Sequence, residues 1–148
     1  MDELYELLHK SQTSLFCLFQ KTWIYHWNVV GENFKPLHEL FQIQYEELFT
    51  AIDEIAERIL TLGNQPEHAF SKYMHLSTIP ERASGVLDKQ AVQDILDSFQ
   101  IIIQLERQIL ALAQDSSDEG TSALMSDYIR NQEKTIWMYA AYLGTAQS

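Results

Sequence analysis

The chain has 148 residues, a length that suits a single domain over 1–148. Of these, 46% are hydrophobic, enough to bury a core and too many for a disordered segment. The formal net charge of -11 argues against nucleic acid or anionic lipid as a partner, since both call for a basic patch or tail. No run of about twenty apolar residues is present to span a membrane. The acidic start MDELYELLHKSQ lacks the basic region of a secretory leader, and Cys17 stands alone, so a cytoplasmic protein without internal disulfides is expected.

The few glycines and prolines fall mainly between long periodic stretches, and four of these read as helices. The first spans roughly residues 2 to 30. Leu4, Leu8, Ser11, Leu15, Leu18, Thr22, Tyr25 and Val29 repeat by four and three and define one face. A second row, Gln12, Phe16, Phe19, Trp23, His26 and Val30, lies about a quarter-turn away, so the apolar arc covers roughly 200°. That is wider than a helix packed only on its own domain needs, and the second row is expected to meet another copy of the chain. Lys10, Lys21 and Asn28 mark the expected solvent side.

The second helix is predicted from about Pro36 to Leu62, with proline in its first turn and Gly63 past its end. Leu37, Phe41, Leu48, Ile52, Ile55 and Ile59 form its core face. Some 25 residues then separate it from the third helix, about Asp88 to Ala113, whose inward positions include Ile95, Phe99, Ile102 or Ile103, Ile109 and Leu110. The fourth, about Thr121 to Leu143, repeats through Leu124, Tyr128, Asn131, Thr135, Met138 and Tyr142. Short joins make helices one and two, and three and four, antiparallel neighbours. The long join crosses the length of the bundle, with room for a short helix around Ala69 to Leu76. The expected fold is all-α: a ferritin-like four-helix bundle with one long crossover carrying a short helix.

His26 and His38 lie on either side of the first turn, six residues each from Glu32, and so at matched heights on adjacent helices. Imidazole commonly binds iron, zinc and copper, while a lone helical histidine is more often structural. Farther along, Asp53 and Glu57 share a helix face, as do Gln42 and Glu46, all within about 100° of His38 and away from the core row. On its own, such a stripe equally describes a solvated acidic face. Asp53 lies fifteen residues past His38, about 22 Å along the axis, whereas metal–ligand bonds are about 2.0–2.2 Å. One chain therefore cannot bring His38 and Asp53 to one ion. Two antiparallel copies of the second helix, paired near Tyr45 and Glu46, could do so twice per dimer.

The stretches YHWNVVGENFKPLHELF, QYEEL and AIDEIAERIL, followed by EKTIWMYAAYLG, closely resemble the Dps family, the mini-ferritins named as DNA-binding proteins from starved cells. The resemblance covers nearly the whole chain. It implies a hollow dodecamer that oxidises Fe(II) at two-fold interfaces, with hydrogen peroxide preferred over dioxygen, and stores ferric mineral inside. It implies His26 and His38 from one subunit and Asp53 and Glu57 from its mate as catalytic metal ligands, with Trp27 beside them as either a radical scavenger or a packing residue. Zinc satisfies the same donor set as iron.

Two departures stand out. Gln42 occupies a position where many members carry an acid, which weakens a second iron position and leaves open a metal-binding structural cage with little turnover; Glu46 is one turn away. No lysine-rich tail is present, so DNA binding is not expected. Family pores on the three-fold axes point to Asp118, Glu119 and Asp127, although Asp118 and Glu119 equally suit the start of a helix. Glu6 and His9 form a Glu-x-x-His match without a partner elsewhere and are taken as chance. His68 and His75 are expected at the surface, and Cys17 as a buried hydrophobe.

Overall fold

The computed structural model describes residues 2–82 and 88–145, and these contain five helices and no strand. In chain order they are α1 (Asp2–Asn28), α2 (Phe34–Thr61), α3 (Phe70–Leu76), α4 (Asp88–Asp115) and α5 (Glu119–Leu143). The four long helices form the bundle, and α3 lies in the crossover against α1. The predicted architecture is present, with α1 two residues shorter and α2 and α5 two residues longer at their starts. The last two described residues before α4 are Glu81 and Arg82; the end of the predicted crossover falls outside the described residues.

Local chemistry sets the helix ends. Gly31 takes φ +111° in the α1–α2 turn, and Gly63 takes φ +89° just past α2, conformations that side-chain-bearing residues rarely adopt. Around Gly63 the amide of Asn64 reaches back to the carbonyl of Ile59, the backbone closure of a glycine-terminated helix. After the crossover the chain returns to the same end of the bundle as the first turn, where Asn33 Nδ2 donates to Asp88 Oδ2 at 3.2 Å.

The first row of α1 is buried throughout, as are the predicted inward residues of α2 except half-buried Ile52. The α4 face agrees as well, with Leu110 half-buried. In α5 the predicted face is displaced. The buried residues are Thr121, Met125, Tyr128, Ile129, Gln132, Ile136, Tyr139 and Ala140, whereas Asn131 and Met138 are exposed. Two half-apolar rows compete on this helix, and the deeper one carries Gln132, which pattern reading passes over as polar.

Lys21 is the clearest correction. Predicted to face solvent, it is 4% exposed. Its ammonium group donates to the Pro80 carbonyl (3.0 Å), to Asp94 Oδ1 (3.2 Å) and to Ser98 Oγ (3.2 Å). Tyr25 donates to the other oxygen of Asp94. The three donors of an ammonium group are thus matched, which is the condition for burying one. The crossover, which passes over this part of α1, is what covers the lysine. It also covers part of the second row: Gln12 is buried, its Nε2 donating to the Glu67 carbonyl and to Tyr73 Oη, and Phe16 packs on Phe70 and Tyr73.

A second buried charge-bearing group is Glu106 on α4, fully inaccessible, which accepts a 3.0 Å hydrogen bond from Gln132 Nε2 on α5. Burial pushes its carboxyl up to about 8, with the Gln132 bond opposing only in part.

Two stability predictions follow from these groups. Asp94→Ala leaves the Lys21 ammonium buried without its carboxylate and is expected to cost about 3–5 kcal/mol, read as a lowered denaturant midpoint. For Glu106 the folded-state value lies above the ordinary 4.5. The folded protein therefore holds the extra proton between these limits, and its contribution to stability is lost as pH rises toward about 8. In metal-free protein, Glu106→Gln should remove a slope of about 1.4 kcal/mol per pH unit over that window and leave the variant more stable than the parent in alkaline buffer.

Candidate metal centre

The five-residue α1–α2 turn fixes the register of the two helices, and the result is a histidine pair. The rings of His26 and His38 stack with centroids 3.7 Å apart and planes 15° from parallel. Each Nδ1 lies 2.7 Å from the other residue's backbone carbonyl oxygen. A carbonyl only accepts, so each Nδ1 must carry a proton and donate. In the neutral imidazole this leaves the lone pair on Nε2. Both rings are thereby held in the tautomer a metal ligand requires, oriented by the backbone of the facing helix.

His26 is buried and His38 half-buried. The ring of Tyr45 meets His26 edge-on at 5.3 Å, and Phe34 stacks on His38 at 4.9 Å. Next to the pair runs an aromatic strip: Phe19, Trp23, Trp27, Tyr45 and Phe49, with ring centroids 4.8–6.1 Å apart. Trp27 is 56% exposed and Phe49 65%. Val30 in the α1–α2 turn and Ile43 on α2 are also exposed. This apolar surface lies beside the buried ring of His26 and the half-buried ring of His38.

The predicted acids stand elsewhere. Asp53 and Glu57 are exposed on α2, and among the described residues no group of three or more His, Cys, Asp or Glu side chains comes together to hold a metal. The structure thus unites the two histidines and leaves both carboxylates apart, on the exposed side of the same helix. Gln42 is exposed and donates from Nε2 to Glu46 Oε1 at 3.1 Å, so these two side chains engage each other.

Arg58, near the end of α2, has a structural role that helical periodicity does not reveal. Its guanidinium donates to Asp118 Oδ1 (2.8 Å) and to Thr121 Oγ1 (3.0 Å), tying the end of α2 to the start of α5. A Cβ on Gly120 would lie 2.5 Å from Arg58 Nη2, so glycine leaves room for this tie. Asp118 caps α5 through the Thr121 amide and hydroxyl. Burial pushes its carboxyl up, but the Thr121 and Arg58 contacts together outweigh that and hold it below the ordinary range. Of the two readings of Asp118, capping is the one its contacts express. Asp127 pairs with Arg130 at 3.0 Å, and Glu119 is exposed. His9 Nε2 hydrogen-bonds the Gln65 carbonyl at 2.7 Å, His68 and His75 are exposed, and Cys17 is buried with its thiol 3.8 Å from Met74 Sδ.

A four-helix bundle with a long crossover defines the ferritin-like class, and the family model for the ferritin-like domain matches residues 5–148. Among solved structures, a Dps protein from Vibrio cholerae, described as a member of a broad superfamily of ferritin-like diiron-carboxylate proteins, is 42% identical with a TM-score of 0.93, over 96% of this chain and 89% of that one. Dps from Listeria innocua, soaked with zinc, is 26% identical with a TM-score of 0.92, over 97% of each chain. The DNA protection during starvation protein of Porphyromonas gingivalis is 40% identical over 118 residues, 80% of this chain and 74% of that protein. The chain belongs to the Dps family of ferritin-like proteins.

The tautomer assignment is directly testable. In mildly alkaline buffer, where imidazole is neutral, side-chain ¹⁵N NMR should find both His26 and His38 protonated at Nδ1. An Nε2-protonated ring would contradict the reciprocal carbonyl bonds.

Proposed function

We propose that this chain is the subunit of a hollow cage, a dodecamer, that oxidises Fe(II) and stores the ferric product, so limiting oxidative damage. Iron is substrate and cargo here, and hydrogen peroxide is the preferred oxidant. The observation that carries this reading is the histidine pair: two preset Nε2 donors on an aromatic surface, with no third protein ligand gathered beside them among the described residues. The remaining ligands come from Asp53 and Glu57 of a second subunit related by a two-fold axis. Such an axis supplies them twice per dimer. Covering the exposed aromatic strip stabilises that contact.

The residues divide the work by chemistry. The imidazoles hold the ion without adding charge. The carboxylates supply the negative charge that favours Fe(III) over Fe(II), and so ease loss of the electron. Each Fe(II) gives up one electron, and two of them reduce one hydrogen peroxide to water with uptake of two protons. Zinc competes for the same N and O donors. Family membership in a ferritin-like line that includes a diiron-carboxylate relative supports iron as the cargo.

One observation favours a second reading. The Gln42 amide is a neutral and weaker donor than an acid, and it is engaged by Glu46. A cage that holds metal with slow turnover would follow if the second iron position stays poorly filled. With a net charge of -11, the chain is also expected to leave DNA unshifted in a low-salt gel.

Subunit mixing separates a shared site from one built within a chain. His26→Ala/His38→Ala subunits and Asp53→Ala/Glu57→Ala subunits should each lose rapid peroxide-driven ferric absorbance. Reassembled together at equal amounts, they should recover about a quarter of the parental rate, because half the dimers are mixed and each mixed dimer regains one of two sites. No recovery would overturn the shared site. Unchanged oxidation in the histidine variant alone would overturn the enzyme.

A further inference from the structure

The crossover is fastened to α1 by side-chain bonds on either side of the contact between α1 and α3. Gln12 Nε2 donates to Tyr73 Oη at 2.9 Å, and the Thr78 amide donates to Ser14 Oγ at 2.9 Å. These ties hold α3 against α1, and there Met74 meets Cys17, one turn of α1 beyond Ser14. The two sulfur atoms are 3.8 Å apart. Their neighbours in sequence, Phe16 and Tyr73, pack edge to face at 4.9 Å and fix the same approach. Cys17 is 6% exposed, whereas Met74 is 44% exposed.

We propose that Cys17 and Met74 form a site for a soft monovalent metal ion, Cu(I), held between thiolate and thioether and separate from the histidine pair. The spacing fits one ion. Metal–sulfur bonds of about 2.3 Å span the observed separation at an angle of roughly 110°, with neither residue displaced. Methionine is unbranched and adaptable, so the angle can also open toward a straighter arrangement.

Donor type and charge set the class of ion. A thioether suits soft metals and is foreign to the oxygen-seeking ions, and paired with a thiolate it favours Cu(I). Zn(II) asks for a fuller tetrahedral set, and among the described residues no group of three or more His, Cys, Asp or Glu side chains comes together. Burial pushes the Cys17 thiol up; Ser77 and Lys21 oppose this in part, and Glu81 adds to it. A bare thiolate is therefore disfavoured in this place. Cu(I) displaces the thiol proton to solvent, and its single positive charge cancels the single negative charge of the thiolate, so a neutral unit is buried. A divalent ion on the same two atoms would leave a net positive charge there. The exposed Met74 thioether gives the ion its approach. Like Fe(II), Cu(I) splits hydrogen peroxide to hydroxyl radical, so withdrawing it serves the protection proposed above; the sulfur site itself does not depend on that reading.

The test uses the assembled protein, Cu(I) under anaerobic conditions and a chromogenic Cu(I) chelator as competitor. The His26→Ala/His38→Ala background removes the imidazoles, which also take copper. One Cu(I) per subunit is expected. Adding Cys17→Ser should abolish binding, and adding Met74→Leu, which keeps size and apolarity, should weaken it at least about tenfold. Met138→Leu, at an equally exposed thioether, should leave affinity unchanged. Parental affinity in the Cys17→Ser or the Met74→Leu protein overturns the site, as does an equal loss with Met138→Leu. Crystals of the unaltered protein soaked anaerobically in Cu(I) give a readout that needs no variant. An anomalous peak at the copper edge between Cys17 Sγ and Met74 Sδ is expected, and its absence there overturns the proposal.

Discussion

The constraint on which this molecule depends is the register between α1 and α2. A five-residue turn, permitted by the positive φ of Gly31, sets the two helices so that each histidine ring lies against the other helix's backbone. Two hydrogen bonds of 2.7 Å then do three things together. They tie the last turn of α1 to the first turns of α2, they choose the imidazole tautomer, and they leave both Nε2 atoms outside those bonds. A slip of one residue in α2 would turn His38 by about 100° and dissolve all three. The donor pair is thus a consequence of backbone pairing, and needs no additional side chain to orient it.

In the proposed shared site, the same helix holds the histidines apart from their carboxylates. Carboxylates on α2 that share the histidine's side of the helix are separated from it by distance along the axis, and a rigid helix cannot fold that distance away. Assembly is the physical route by which a long straight helix brings its two ends into one site. The exposed rings of Trp23, Trp27 and Phe49, with half-buried Tyr45 among them, supply the area for such a contact in the proposed cage, beside the donors that need it. Site and interface are therefore one surface in the proposed cage.

The polar interior shows the opposite economy. Lys21 is buried with each donor matched, and Arg58 binds Asp118 and Thr121 so that the far ends of α2 and α5 are joined. Glu106 and Gln132 break this pattern, being bonded to each other yet each retaining an unmatched oxygen.

The sequence alone determined the helices, their order, the crossover and the matched heights of His26 and His38, because period, turn residues and rise per residue are local properties. It also determined that His38 and Asp53 cannot meet within one chain, since helical rise is fixed. Only the tertiary structure decided the burial of Lys21, the displaced face of α5, the capping role of Asp118 and the Glu106–Gln132 pair. Each of these depends on what a distant segment lays over a residue. Lysine reads as solvated until Pro80 and Asp94 arrive, and glutamine reads as surface until a carboxylate from another helix faces it. Periodicity weighs a residue by its own polarity, whereas burial is decided by partners far along the chain.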